Sequence, residues 1–110
     1  MSGAVLDANL TSLSGRLLEK GMLRYTPAGI PAIDFRLEHQ SEQVEAGGKR
    51  KVEFEMTCVA LGIDATRLAQ WNAGGVISVT GFLAAKSLKT RSVVLHVNTM
   101  EFIEGNENGI

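Results

Sequence analysis

Two stretches of the chain alternate between apolar and charged or polar residues with the period of a β-strand. From Ile33 to His39 every second residue is apolar or aromatic, and the residues between them are charged. Strict alternation of this kind is typical of a strand with one face on a core. The second stretch places five residues on its predicted inward face: Val52, Phe54, Met56, Cys58 and Ala60.

Three further runs complete the set of predicted strands. Leu10–Leu18 contains Gly15 and predicts a long first strand with a glycine bend. Val76–Leu83 and Val93–Phe102 are rich in β-branched residues. Gly81 lies inside the fourth strand, where a glycine usually marks a bulge or the bend at which a sheet curls.

The segments between the strands have a different composition. Thr26–Gly29 predicts a turn, and the polar residues 40–51 predict a loop. Ile63–Trp71 is the one segment with a helical pattern, and Asp64 is its expected N-cap. Asn72–Gly75 ends the helix.

Five strands with a short helix between the third and the fourth follow the order of the OB-fold. This all-β fold is a five-stranded, partly open barrel that binds nucleic acids on its strand 2–3 face and nearby loops. A chain of 110 residues has room for one such domain. We expect a frayed N-terminus over residues 1–7, the domain over 8–103 and a disordered tail over 104–110.

The composition of the chain indicates the cellular compartment in which it is expected. The chain has one cysteine, so no intramolecular disulfide can form. Its first residues lack the features of a signal peptide. No apolar run approaches the roughly 18 residues of a membrane span. These features favour the cytoplasm.

The charges are distributed unevenly, although the formal net charge is only -1. Residues 65–100 hold four basic and no acidic residues, which predicts one positive surface. Lys86, Lys89 and Arg91 fall between the last two strands, and Lys49–Lys51 opens the third. Basic loops on neighbouring hairpins are typical of a groove for single-stranded nucleic acid. The alternative interpretation is that these are solubilising loop tips.

Single-strand binders also use exposed aromatic rings as platforms for bases. Among the six aromatic residues, Phe35, Phe54 and Phe82 are predicted to lie in the core, and Trp71 to hold the helix against the barrel. Tyr25 is the best exposed candidate for stacking.

Enzymatic chemistry has no support in the residues. His39 and Cys58 fall on predicted inward faces, and the sequence holds no metal-binding or phosphate-loop motif. We therefore expect no catalytic residue, metal or cofactor.

Six short motifs resemble one known family, primosomal replication protein N, the PriB type of single-stranded DNA-binding protein. They are L-S-G-R-L (13–17), R-Y-T-P-A-G-I-P (24–31), D-F-R-L-E-H-Q-S (34–41), E-A-G (45–47), V-T-G-F (79–82) and V-V-L-H (93–96). The resemblance implies an OB-fold homodimer that binds single-stranded DNA and helps to restart replication with a helicase and other primosome proteins.

The resemblance also implies the DNA-binding positions. They are Arg24, Lys49, Arg50, Lys51, Lys86, Lys89 and Arg91. Gly48 and Glu53 stand where family members can carry aromatic residues, and Gln40 where a basic residue is expected. These departures imply weaker DNA binding that depends more on charge. A dimeric adaptor protein with incidental DNA binding remains the alternative.

Overall fold

The computed structural model describes residues 5–105. In chain order its elements are β1 (Thr11–Lys20), β2 (Arg24–Tyr25), β3 (Pro31–Glu45), β4 (Gly48–Leu61), α1 (Ile63–Ala69), β5 (Val76–Ala85) and β6 (Val93–Glu104). Residues 1–4 and 106–110 lie outside the described residues. The frayed N-terminus and the disordered tail therefore stay predictions, and β6 includes Glu104, the first residue of that expected tail.

The five long strands form a closed ring. Its order is β1–β5–β6–β4–β3, and β3 pairs back with β1. Every pairing is antiparallel except that of β4 with β6, which is parallel over Cys58–Ala60. β2 adds two residues to the edge of β3. Apart from the two-residue β2, the predicted count and order of strands are confirmed. The helix lies between the third and the fourth long strands, which are β4 and β5.

Gly15 marks the point where β1 changes partners. β1 pairs with β5 from Thr11 to Arg16 and with β3 from Arg16 to Lys20. A Cβ atom at Gly15 would lie 2.8 Å from the carbonyl oxygen of Glu38, so β1 and β3 can approach here only because residue 15 has no side chain. The predicted long first strand is confirmed, and its glycine lies where the strand passes from β5 to β3.

Gly81 lies at a β-bulge between β5 and β6. The register shifts between Thr80 and Gly81, as the sequence predicts. A Cβ atom at Gly81 would lie 1.8 Å from the carbonyl oxygen of His96 on β6. The two backbones are therefore closer than any side chain at position 81 allows.

The core lies inside the ring and is closed by the helix. Its most deeply buried side chains are Leu17, Ile33, Phe35, Leu37, Cys58, Ala60, Ala65, Leu68, Ile77, Val79 and Leu95. Trp71 is also buried and packs edge-on against Phe102, with ring centroids 5.0 Å apart. Trp71 thus holds the helix end against the ring, as predicted.

The predicted N-cap of α1 is wrong. The capping position is Gly62, with φ of 77° and no side-chain cap, because β4 turns directly into the helix at this glycine. Asp64 lies one position inside the first turn, where its carboxylate pairs with Arg67 at 2.9 Å. An acid in the first turn still complements the helix dipole.

Lys20 caps the other end of α1. Its Nζ atom donates to the carbonyl oxygens of Leu68, Ala69 and Trp71 at 3.3, 2.6 and 2.5 Å. A cation at a helix C-terminus stabilises the unpaired carbonyl groups there. Desolvation by burial lowers the pKa of Lys20 from its ordinary value. The contact fastens the end of β1 to the helix.

The predicted loop over residues 40–51 is wrong, because β3 and β4 remain paired as far as Glu45 and Gly48. Only Ala46 and Gly47 turn the chain, with φ of 51° and 81°, as in a tight two-residue hairpin. We call residues 40–53 the arm. Among residues 5–105 no third strand pairs with the arm, so neither of its faces needs apolar residues.

The prediction that Phe54 lies in the core is wrong. This residue lies at the base of the arm. It is 38% exposed, and its ring lies 5.0 Å from that of His39. The alternation does place Phe54 on the same face as Met56 and Cys58. That face is buried only within the closed ring of strands. Phe54 lies where the ring ends and the arm begins, so it is only partly covered.

Cys58 lies in the core, as its alternation with Met56 predicts, and is fully buried. Burial raises the pKa of its thiol from 9.0 to about 12. Because the thiolate is the reactive form, we expect native Cys58 to react with thiol reagents far more slowly than the denatured chain does. We expect Cys58→Ser to lower the free energy of unfolding by about 1–3 kcal/mol.

The raised pKa also makes the stability of the fold depend on pH. Between about pH 9 and 12 the thiol ionises in the unfolded chain and stays neutral in the native one, so stability falls as pH rises through this window. Labelling kinetics in native and denaturing buffer test the burial. Native labelling at the denatured rate would show that Cys58 is accessible.

Candidate nucleic-acid interface

The outer face of the sheet, opposite the core, is where two of the predicted site residues, Arg24 and Lys86, meet. Asp34, Val59, His96 and Phe82 lie directly opposite one another on β3, β4, β6 and β5. Paired residues in a sheet share a face, so this row crosses four strands on the outside of the ring. It corresponds to the strand 2–3 face that OB-folds use for oligonucleotides.

A groove of about 460 Å³ lies on this face. We call it the outer groove. Its lining residues are Arg24, Asp34, Thr57, Val59, Leu61, Lys86, Val94 and His96. It brings Arg24 and Lys86 to one site, although 62 positions separate them in the sequence.

Arg24 is held at the rim of the outer groove by β2. The short strand pairs with Pro31 and Ala32, and the turn behind it is closed by a hydrogen bond from Thr26 N to Ile30 O at 2.9 Å. The guanidinium pairs with Asp34 at 3.2 Å, and both side chains remain more than half exposed. Asp34 therefore neutralises part of the positive charge that Arg24 brings to the groove.

We call residues 86–92 the basic loop. Its ends are joined by a hydrogen bond from Lys86 N to Ser92 O at 2.8 Å. Thr90 N donates to Ser87 Oγ at 3.0 Å, which orders the tip. Lys89 and Arg91 are exposed, and within residues 5–105 neither they nor Lys86 forms a salt bridge. The loop thus presents three cations that no carboxylate of the described residues neutralises.

The second basic segment, Lys49–Lys51, lies in the arm rather than in a loop. Lys49 pairs with Glu42 at 3.9 Å and Arg50 with Glu45 at 2.9 Å. Lys51 forms no salt bridge among the described residues. The segment therefore carries much less free positive charge than the sequence suggests.

The arm and the outer groove are also separated by acids. Lys51 and Thr57 lie on the same face of β4, and six residues of strand span about 20 Å. Glu53 and Glu55 lie between them on that face. The lining of the outer groove does not include Lys49, Arg50 or Lys51, so a DNA contact at these residues stays a prediction.

Tyr25 is 64% exposed, as predicted. Because successive side chains of a strand point to opposite faces, Tyr25 projects away from the side on which Arg24 meets the outer groove. Its role in stacking stays a prediction.

Phe82 is not a core residue, and the prediction that placed it there is wrong. It is 39% exposed and stacks on His96, with ring centroids 5.1 Å apart and planes at 6°. The sequence held a signal for this: alternation from Ile77 and Val79 puts Gly81 inward and Phe82 outward. An apolar side chain therefore lies on the outer face here, where its place in the alternation puts it.

Residues 5–105 hold no group of three or more histidine, cysteine or acidic side chains placed to bind a metal ion. Within the same residues no helix is long and apolar enough to cross a membrane.

Comparison with known proteins places the chain in a family. The profile described as "Another single-strand binding protein family" matches residues 9–99. Replication restart protein PriB of Bordetella pertussis is 44% identical over 98 residues, covering 89% of this chain and 92% of the relative. The chain belongs to the PriB family. The resemblance that the sequence motifs indicate is thereby confirmed.

Solved structures agree with the family and confirm the OB-fold. PriB from Ralstonia solanacearum superposes with a TM-score of 0.80 at 32% identity, covering 89% of this chain and all of that one. The single-stranded DNA-binding protein of Thermus aquaticus superposes with a TM-score of 0.70 at 27% identity, covering 88% of this chain and 50% of its own.

Proposed function

We propose that this chain binds single-stranded DNA without sequence preference and acts as an accessory factor in replication restart, in the cytoplasm. The observation that carries the proposal is the basic loop, which places Lys86 in the lining of the outer groove and whose three cations form no salt bridge within residues 5–105. The names of the PriB relatives and of the single-stranded DNA-binding neighbours support it.

The geometry favours contacts to phosphates over readout of bases. Lys86, Lys89 and Arg91 are exposed. Cations that bind phosphates release counterions, which favours binding without regard to the base. The partly neutralised Arg24 and the neutralised arm lower the expected number of phosphate contacts. Binding should therefore be moderate, and it should weaken as the salt concentration rises because charge supplies much of it.

A titration of labelled oligonucleotides tests the proposal. Equal-length single strands of different sequence should bind with similar affinity, and log affinity should fall by about 0.7 per unit of log salt for each phosphate neutralised. No binding at low salt would reject DNA binding for this chain.

The chain is also proposed to form a homodimer. Thr11–Ser14 pairs with β5 on one side, and no strand among residues 5–105 covers its other edge before β3 joins at Arg16. Open edges need a partner or protection, and two copies can pair across a two-fold axis.

Light scattering at micromolar concentration should therefore return about twice the chain mass of 11.8 kDa. A mass near 11.8 kDa would contradict the dimer. The open edge of β1 would then be available for pairing with another protein.

A second candidate function is that of a protein-interaction adaptor. It is favoured by the arm, which projects past the ring with Val44 76% exposed among paired charges. The expected partners are a restart helicase and other primosome proteins. In this case, replacing Val44 should weaken a protein contact and leave DNA binding unchanged.

A further inference from the structure

Phe82 and His96 form the most exposed aromatic surface on the DNA-facing side of the ring. The two rings are parallel within 6° and stacked, and 39% of Phe82 remains open to solvent. His96 also lines the outer groove. The pair therefore lies where a strand held by Arg24 and Lys86 would pass.

The backbone fixes the position of these rings. The bulge at Gly81 brings β5 against His96 O so closely that a Cβ atom would fit nowhere between them. On the other side, Asn9 holds Leu83 with two hydrogen bonds, from Nδ2 to Leu83 O at 2.9 Å and from Leu83 N to Oδ1 at 3.0 Å. A ring between two such restraints loses little freedom when a ligand stacks on it.

We propose that Phe82, supported by His96, is the stacking platform for an unpaired nucleobase of the bound strand. The proposal rests on the proposed function and adds the residue that contacts a base. Lys86 directly follows the end of β5 and lies four positions beyond Phe82, about 13 Å in extended chain, so one bound strand can place a base on the ring and a phosphate on the basic loop. Every base has a π-face, so the platform gives affinity without sequence preference.

The chain offers a closely matched control in Phe54. It is 38% exposed and also lies against a histidine, His39, with ring centroids 5.0 Å apart. Its side chain, however, shares the face of Met56 and Cys58, opposite the face of the outer groove. Because the two phenylalanines are almost equally exposed but lie on opposite faces, comparing their variants shows whether an effect is specific to the outer groove or follows from losing any surface aromatic side chain.

The experiment compares Phe82→Ala with Phe54→Ala by fluorescence anisotropy of a labelled single-stranded oligonucleotide across salt. Phe82→Ala should weaken binding about tenfold, since stacking contributes about 1–3 kcal/mol per base. The salt slope should not change, because stacking releases no counterions. Phe54→Ala should stay within about twofold of the parent.

Two further variants keep the test decisive if Phe82→Ala does not fold. Phe82→Leu keeps an apolar side chain without a ring and should bind as weakly as expected for Phe82→Ala. Phe82→Trp keeps an aromatic ring and should bind like the parent. Its tryptophan fluorescence should change when DNA binds, whereas the buried Trp71 should contribute a constant signal.

The outcomes separate the platform from the proposed function. Parent-like affinity of folded Phe82→Leu, or unchanged emission of Phe82→Trp at saturating DNA, would overturn the platform and leave DNA binding standing. Failure of the parent protein to bind the oligonucleotide would overturn both.

Discussion

Replacing Lys86, Lys89 and Arg91 together by alanine is expected to weaken binding to a single-stranded oligonucleotide by about 100-fold at low salt. The figure follows from about 1 kcal/mol for each exposed charged contact, with 1.4 kcal/mol per tenfold. The slope of log affinity against log salt should also become less steep by up to about 2, at about 0.7 per phosphate.

A matched control removes the same number of cations from the arm. In the Lys49→Ala/Arg50→Ala/Lys51→Ala variant, two of the three lost charges are already paired with Glu42 and Glu45. We therefore expect a clearly smaller loss of affinity and a smaller change of slope. Oligonucleotide titrations of both variants at four or more salt concentrations make the comparison.

Thermal melts should show that both triple variants stay folded, because exposed substitutions usually change stability by no more than about 0.5 kcal/mol each. An unchanged salt slope in a well-folded basic-loop variant would contradict the account. The loop would then be a solubilising hairpin tip, and the adaptor function would become the better explanation.

The largest effect on stability is expected at Gly81. In Gly81→Ala the new methyl group would lie 1.8 Å from His96 O, and that atom belongs to the backbone, so no side chain can move aside. β5 and β6 must separate at the bulge. We expect a loss of about 3 kcal/mol or more and a fall in melting temperature of at least about 10 °C.

Gly48→Ala is the control for this change. The same methyl group at position 48 would meet only Glu45 O, at 3.8 Å, and Gly48 has no positive φ. Its melting temperature should stay within a few degrees of the parent. A Gly81→Ala protein as stable as Gly48→Ala would show that the bulge does not hold the two strands as closely as described.

The sequence was informative wherever one face of an element is buried. Ile33, Phe35 and Leu37 alternate with charged residues because one side of β3 faces the core, and the pattern located that strand and its partner. Gly15 and Gly81 were informative for a different reason. Each lies where two backbones approach too closely for a side chain, which is the usual reason for a glycine within a strand.

The arm could not be predicted in the same way. Its strands are exposed on both faces, so no apolar period marks them, and their polarity resembles that of a loop. What stabilises the arm is backbone pairing and a two-residue turn, and neither requires apolar residues.

The candidate site was only partly visible in the sequence. The basic loop and Arg24 could be named from charge and motif, but their meeting in one groove depends on the order of the strands in the ring. The pairing of Lys49 and Arg50 with Glu42 and Glu45 depends on the hairpin register, which an expected loop does not have. For the same reason the arm carries less free positive charge than its sequence indicates.

The most direct test of the central claim is an NMR titration of the isotope-labelled protein with a single-stranded oligonucleotide. If the outer face binds DNA, the largest amide shifts should fall on Arg24, Phe82, His96 and the basic loop, and α1 should change little. Shifts confined to the turn at residues 46 and 47, or no shifts at saturating DNA and low salt, would contradict it.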